Sequence, residues 1–266
     1  MRKRLIAAVT AAAVLALGVG VAFAENTYNV DLASSTPAGK GSPSKPIPAK
    51  LRFGYKVGDS EGLRPTVIEQ YRIAPEGLVT YPKLFPSCTY AQSAARPEPA
   101  AACKKAQLGK GQVFNHAGPA GDRAAPPTIC NLRLRLYNIS GVGKNGGMAI
   151  RLDGGPGQEP APGCTLDIAE SIKAKFTTVK VDGLKTSELR FTVPEALYLP
   201  LPGVENAVIN TVSTVNKRTA KTRIKGKRRT VGYYSKIGCK GRTRTTRVEF
   251  VDLEGRKFTA SKPSPC

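Results

Sequence analysis

Cationic side chains dominate one stretch near the C-terminus. Between Asn206 and Val248 the chain has thirteen Lys or Arg residues and no Asp or Glu. We predict an anion-binding hairpin surface built from seven of them: Arg223, Lys225, Lys227, Arg228, Arg229, Arg242 and Arg244. The reason is that Arg can hold a phosphate or carboxylate with two hydrogen bonds. The alternative interpretation is a solvated edge hairpin, whose charges block edge-to-edge aggregation of the sheet.

Acid–base chemistry has few candidate residues. Asp153, Glu159, Asp167 and Glu170 are carboxylates in or beside loops, and a glycosidase would need two such groups to converge across a cleft. A Ser/His/Asp triad would have to use His116, the single histidine, and no G-x-S-x-G turn is present. We therefore predict no catalytic residue and a non-enzymatic protein. A secreted polysaccharide hydrolase remains the weaker alternative.

Metal and cofactor motifs are also sparse. The chain has no C-x-x-C pair and only one histidine, which disfavours a zinc site. Asp153-Gly154-Gly155 supplies a single carboxylate, too few for calcium. Gly109-Lys110-Gly111 lacks the strand–helix context of a phosphate-binding loop. We predict no metal, no cofactor and, without a helix-turn-helix, zinc-finger or RNP pattern, no sequence-specific nucleic-acid partner.

The cysteines indicate an oxidising compartment. There are six, and an even number in an exported protein is typical of disulfides. Six cysteines allow 15 pairings. We predict bridges between sequence neighbours, namely Cys88–Cys103, Cys130–Cys164 and Cys239–Cys266.

The N-terminus predicts export. Met1–Arg4 is positively charged, Leu5–Val21 is apolar, and Ala22-Phe23-Ala24 is a small-residue cleavage site. This is the pattern of a signal peptide over residues 1–24, with a retained membrane anchor as the alternative. Residues 25–48 are rich in Ser, Pro, Gly and Lys and predict a flexible linker. A single β-rich domain is then expected over residues 49–266.

The elements that must position these residues have the period of β-strands. Cys130, Leu132, Leu134 and Leu136 alternate with polar residues, and the alternation returns over Met148–Leu152 after a Gly-rich loop. Such a period of two predicts a half-buried β-hairpin at the centre of the fold. About ten to twelve short strands separated by Gly/Pro turns predict an all-β, antiparallel β-sandwich or jelly-roll-like domain.

Charge and export together suggest the partner. The precursor carries a net charge of +22, with 41 Lys and Arg against 19 Asp and Glu. Removing Arg2, Lys3 and Arg4 leaves 38 basic residues, or +19. A secreted or envelope-associated protein of this charge is attracted to anionic cell-wall polymer, polysaccharide or acidic lipid surfaces. A purely structural exported domain, whose charge serves solubility, is the alternative.

Short motifs suggest a relationship. The sequence resembles a group of uncharacterised secreted proteins of high-GC actinobacteria in three segments: Leu84–Cys88, Pro202–Val208, and Gly232-Tyr233-Tyr234 leading to Gly238–Arg242. The resemblance covers about residues 49–266. It implies an exported, disulfide-bonded β-domain. No activity is assigned to that group, so the resemblance implies no catalytic residue. The group often has Pro after the second cysteine, where this chain has Lys104.

Overall fold

A computed structural model describes residues 25–266, and its chain is 59% β-strand and 7% helix. The first eight strands are β1 (Asn26–Thr36), β2 (Ile47–Asp59), β3 (Ile68–Pro75), β4 (Leu78–Thr80), β5 (Gln107–Pro119), β6 (Thr128–Ile129), β7 (Leu132–Ile139) and β8 (Gly147–Gly154). The others are β9 (Ile168–Val181), β10 (Leu184–Thr192), β11 (Val204–Val215), β12 (Thr219–Ile224), β13 (Lys227–Gly232), β14 (Tyr234–Lys236), β15 (Thr243–Asp252) and β16 (Lys257–Pro265). Short helices are α1 (Tyr90–Ala94), α2 (Glu195–Tyr198) and the 3₁₀ turns Pro82–Leu84 and Ala101–Ala106.

The strands form one antiparallel sheet and one separate hairpin. The 14-stranded sheet has the order β16-β15-β3-β10-β9-β8-β7-β5-β11-β2-β14-β4, with β1 paired to β2 and β6 paired to β5. β12 and β13 pair only with each other. The predicted all-β antiparallel sandwich is confirmed.

The predicted central hairpin is also confirmed. β7 and β8 pair from Ile139–Gly147 to Arg133–Asp153. The connecting loop contains Gly143 and Gly146 at φ 61° and 80°, a left-handed backbone that glycine adopts without steric cost. Leu132, Leu134 and Leu136 are all buried, as their alternation predicts.

The second face of this hairpin is exposed at Arg133 of β7, as predicted, but it is buried along β8, contrary to the prediction of a half-buried ribbon. Every residue of β8 is buried, including Arg151. The segment that contains α1 covers this face, because Arg151 donates hydrogen bonds to the carbonyls of Ala94 and Pro97, both at 3.2 Å. Burying the guanidinium is tolerated because Asp153 Oδ1 lies 2.7 Å from its Nε.

Aromatic rings bring the two ends of the large sheet together. Tyr28 of β1 stacks on Phe258 of β16 with ring centroids 4.6 Å apart. Tyr55 of β2 packs against Phe250 of β15 at 5.4 Å and Tyr71 of β3 at 5.5 Å. Because these strands lie at opposite ends of the sheet order, the contacts fold the sheet into two facing layers around one core.

All three predicted disulfides are present. Cys88–Cys103, Cys130–Cys164 and Cys239–Cys266 close loops with sequence separations of 15, 34 and 27 residues. Each bond restricts the conformations of the unfolded chain and contributes about 2–4 kcal/mol to stability. The last one fixes the C-terminus, where Cys266 also accepts a hydrogen bond from Gly39 N through its carbonyl at 2.5 Å.

The prediction of a flexible linker over residues 25–48 is wrong. β1 pairs with β2 from Asn26–Asp59 to Thr36–Lys50, and Asn26 exchanges hydrogen bonds with the backbone of Thr66. The folded unit therefore includes residues well before 49. The sequence of β1 does not show the alternation of a strand, because its register shifts between Asn29 and Leu32 and interrupts the period of two.

The signal-peptide prediction over residues 1–24 lies outside the described residues. Within residues 25–266, no helix has the length and apolar character needed to cross a membrane.

If β1 is part of the core, its buried side chains must stabilise the protein. Val30 is 1% exposed, so Val30→Ala should lower the free energy of unfolding by about 1.5–3 kcal/mol, through lost burial and a small cavity. Urea denaturation would measure this. Asn29→Ala, on the exposed face of the same strand, is the control and should change stability by less than about 0.5 kcal/mol. Equal, negligible effects would mean that β1 is not part of the cooperative unit.

Candidate anion-binding surface

The basic segment forms a hairpin outside the large sheet. β12 and β13 pair from Thr219–Gly232 to Ile224–Lys227, which leaves Lys225 and Gly226 as a two-residue turn. Both turn residues have positive φ, 49° and 75°. A turn of this kind matches the twist of a two-stranded ribbon and favours Gly at its second position. The sequence Lys225-Gly226-Lys227 therefore locates the turn correctly.

Cations occupy the outward face of this hairpin. Arg223 lies directly opposite Arg228, and Lys221 lies opposite Thr230 on the same face. All four side chains are exposed. Directly opposed residues have Cβ atoms about 5 Å apart, and like charges at that spacing repel. An anion between Arg223 and Arg228 would remove this repulsion.

The inward face attaches the hairpin to the body of the protein. Arg229 Nε donates a hydrogen bond to the Ser44 carbonyl at 3.0 Å. Val231 is fully buried, and Ala220 packs against the main hydrophobic core. The hairpin is therefore held in place along one side while its cationic side faces solvent.

The tyrosines at the base of the hairpin belong to the core. Tyr233 and Tyr234 are buried with ring centroids 5.7 Å apart, and burial raises the pKa of both hydroxyls well above the usual value. They support the hairpin from below, and they offer no aromatic surface to a ligand.

Arg244 does not belong to this surface, so its assignment as an anion-binding residue is wrong. It is 1% exposed, and its Nη2 donates to the Gly238 carbonyl at 2.8 Å. Burial lowers the pKa of Arg244 to about 10, with Glu76 opposing the shift. Arg242 is exposed, but its carbonyl accepts a hydrogen bond from Cys266 N at 3.0 Å, which places it at the C-terminal disulfide.

Lys236 is a second buried cation in the basic segment. Its Nζ donates to the carbonyls of Ser35, at 3.1 Å, and Pro37. Burial, followed by the charge of Arg244, lowers the pKa of Lys236 to about 8. The cations of the basic segment therefore include exposed residues on the hairpin and buried residues that bind backbone carbonyls.

A groove of about 530 Å³ runs beside the hairpin. Thr222 of β12 forms part of its wall, and three exposed lysines contribute from separate segments, namely Lys83, Lys144 and Lys185. Thr80 and Ser187 add hydroxyl groups. Sequence analysis missed these lysines because they are isolated in the chain, and only the folding of three distant segments brings them to one groove.

The candidate carboxylates are held in local contacts. Asp153 is buried between Arg135 and Arg151, with N–O distances of 2.7 Å to each. Glu170 forms an ion pair with Arg96. Asp167 lines the same surface depression as Asp153. These contacts give Asp153 and Glu170 clear structural roles.

Glu159 and His116 also lie in local structure. Glu159 Oε2 accepts a hydrogen bond from Ala161 N at 3.1 Å. His116 is a strand residue, paired with Ala207 on one side and Ile129 on the other. Burial and the charge of Arg64 lower the pKa of His116. In the described part of the chain, no three His, Cys, Asp or Glu side chains are grouped to hold a metal ion.

No model of a protein family matches this chain, and no curated protein or solved structure matches it. The functional argument therefore depends on the geometry described above.

The buried amine of Lys236 predicts a specific pH dependence. Between about pH 8 and 10 the unfolded chain holds a proton on this lysine that the folded chain has released. Stability should therefore rise with pH, by about 2 kcal/mol across this window. Lys236→Met should remove the rise, as measured by urea denaturation from pH 7 to 10. Lys240→Met, at an exposed position, is the control and should retain it. If stability still rises with pH in Lys236→Met, another titrating group causes the rise.

Proposed function

We propose that the protein is an exported, non-enzymatic β-sandwich that binds an anionic polymer of the cell envelope through the β12–β13 hairpin. The observation that carries this proposal is the pair Arg223 and Arg228, exposed and directly opposed on the outward face. All six hairpin cations lack a carboxylate within 4.0 Å among residues 25–266: Lys221, Arg223, Lys225, Lys227, Arg228 and Arg229.

The hairpin cations lack the ion pairs that some cations elsewhere in the described chain form. Arg135 and Arg151 are paired to Asp153, and Arg72 is paired to Glu249 at 3.2 Å. The exposed cations Lys221, Arg223 and Arg228 are thus free to exchange bound counterions for a ligand. Arg offers two parallel hydrogen bonds to phosphate or carboxylate oxygens, so either repeating group fits this surface.

A polymer fits better than a single small anion because the cations extend over a long surface. The groove of Lys83, Lys144 and Lys185 meets the hairpin at Thr222, on the face opposite Arg223 and Arg228. A polymer that contacts both would therefore pass around the edge of the hairpin, which a small anion cannot do. Export, predicted by the N-terminal sequence, agrees with the three disulfides. A neutral sugar polymer would gain little from such a surface.

Neutralising the hairpin tests the proposal. The variant is Lys221→Gln, Arg223→Gln, Lys225→Asn, Lys227→Gln and Arg228→Gln, where Asn tolerates the positive φ of position 225. Arg229 is kept because it holds the hairpin to the Ser44 carbonyl. Its affinity for long-chain polyphosphate and for polygalacturonate at low salt should fall about tenfold or more, with a shallower dependence on salt. Fluorescence anisotropy with a labelled polymer would measure both.

The matched control removes the same number of charges elsewhere. It replaces five cations on other strands with Gln: Arg52, Lys110, Arg247, Lys257 and Lys262. This variant should lose much less affinity than the hairpin variant. Equal losses would mean that net charge alone attracts the polymer, in agreement with the alternative of a structural domain kept soluble by its charge. Salt-insensitive binding would contradict the proposal outright.

The groove lysines should matter only for long ligands. Lys83→Gln, Lys144→Gln and Lys185→Gln together should weaken long-chain polyphosphate several-fold and leave tripolyphosphate binding unchanged, since a short anion occupies the hairpin alone. The control triple variant is Lys110→Gln, Lys257→Gln and Lys262→Gln. Fluorescence anisotropy with labelled long-chain polymer, displaced by unlabelled polyphosphate of either length, measures both affinities for each variant. Loss of affinity for the short ligand would instead place the anion site within the groove.

A further inference from the structure

A cavity of about 110 Å³ lies in the core between the two layers. Side chains from nine strands line it, and most of them are apolar, among them Leu51, Leu134, Ile150, Ile172, Leu189 and Phe191. Protein interiors are normally packed without voids of this size. An apolar cavity that evolution has left open is therefore a candidate ligand site.

Two asparagines in the cavity wall have an unsatisfied acceptor. Asn115 is 1% exposed and Asn206 is 4% exposed, and both line the cavity. In the described structure the Oδ1 atoms of both lack a hydrogen-bond partner. Asn115 pairs with Val208 and Asn206 pairs with Ala117 across the β5–β11 ladder, so the two side chains lie on the same face of the sheet.

The backbone fixes the orientation of both amides. Asn115 Nδ2 donates to the Cys130 carbonyl at 2.8 Å, and Asn206 Nδ2 donates to the Leu197 carbonyl at 3.0 Å. A carbonyl can only accept, so neither amide can turn its nitrogen toward the cavity without losing this bond. The two amides therefore present acceptors, which a ligand must meet with a donor. The hydroxyls of Tyr71 and Thr211 also line the cavity without a partner in the described part of the chain and can donate, so a group that both donates and accepts matches this wall.

The donor must also be uncharged. A carboxylate has no donor for the two Oδ1 atoms, and its charge would be costly to bury in apolar surroundings without a cation. An ammonium group has donors, but its charge would be costly to bury in apolar surroundings without a carboxylate. A hydroxyl group supplies one donor without charge, which makes an alcohol the best match.

The shape of the cavity favours an unbranched chain. Leu132, Leu134 and Leu136 all line it, and they span about 14 Å along β7 at roughly 3.4 Å per residue. A small volume over such a length leaves a narrow space. Tyr198 and Val208 line the same cavity and are partly exposed, close in the chain to Leu197 and Asn206. The polar head thus lies at the accessible end.

We propose that this cavity binds an unbranched aliphatic alcohol, whose chain lies among the leucines and whose hydroxyl donates to the Oδ1 atom of Asn206 or Asn115. The site is separate from the cationic hairpin, and the alcohol binds without the anionic polymer.

The test compares two ligands of equal length in the disulfide-bonded protein. 1-Octanol and 1-methoxyheptane have the same number of heavy atoms, but only the alcohol donates a hydrogen bond. Isothermal titration calorimetry should show saturable binding at one site per chain, with 1-octanol about fivefold to tenfold tighter. Octanoate should bind more weakly than either. No saturable binding, or equal affinities for alcohol and ether, would overturn the proposal. The two Oδ1 atoms would then accept hydrogen bonds from ordered water.

Asparagine variants locate the hydroxyl. Asn115→Leu and Asn206→Leu together should abolish the preference for alcohol over ether while ether binding persists. Each single variant measures how much its asparagine contributes to that preference. Asn210→Leu is the matched control, because Asn210 also has an unpaired Oδ1 but does not line the cavity. It should keep the preference. The hairpin-neutralised protein should bind 1-octanol normally, so failure of one proposal is distinguishable from failure of the other. A preference that survives in the folded double variant would overturn the assignment to these residues.

Discussion

The packing of aromatic rings between the two ends of the large sheet is the constraint on which the rest of the structure depends. Tyr28 on Phe258 and Tyr55 on Phe250 join strands that are far apart in the sheet order. Offset and edge-to-face ring contacts add stability beyond the area they bury. Without these contacts a sheet of this width would have a long apolar face open to solvent, which soluble proteins avoid.

Folding the sheet over separates an interior from an exterior, and the two candidate sites follow from that separation. The inner face lines a narrow apolar cavity whose unpartnered polar atoms, among residues 25–266, are two asparagine acceptors and the hydroxyls of Tyr71 and Thr211. The outer surface carries the β12–β13 hairpin, which has no partner strand in the large sheet. A hairpin without neighbouring strands can present one whole face to solvent, and that face holds Arg223 and Arg228.

The cations divide according to what surrounds them. Lys236 and Arg244 are buried against backbone carbonyls, and burial lowers the pKa of each. Arg151 is buried with Asp153. These three residues hold segments together, whereas the hairpin cations make few contacts within the protein. Lys and Arg thus stabilise the fold where they are buried and are available to a ligand where they are exposed.

The sequence by itself determined the features whose signals are local. Alternation over Leu132–Leu136 specified the central hairpin, Lys225-Gly226 specified the turn between the basic strands, and cysteine spacing indicated the three bridges. A side chain's burial depends on strands that arrive from elsewhere in the chain. Only the tertiary structure therefore decided that β1 joins the core, that Arg244 is enclosed, that three separate lysines share a groove, and that Asn115 and Asn206 face one cavity.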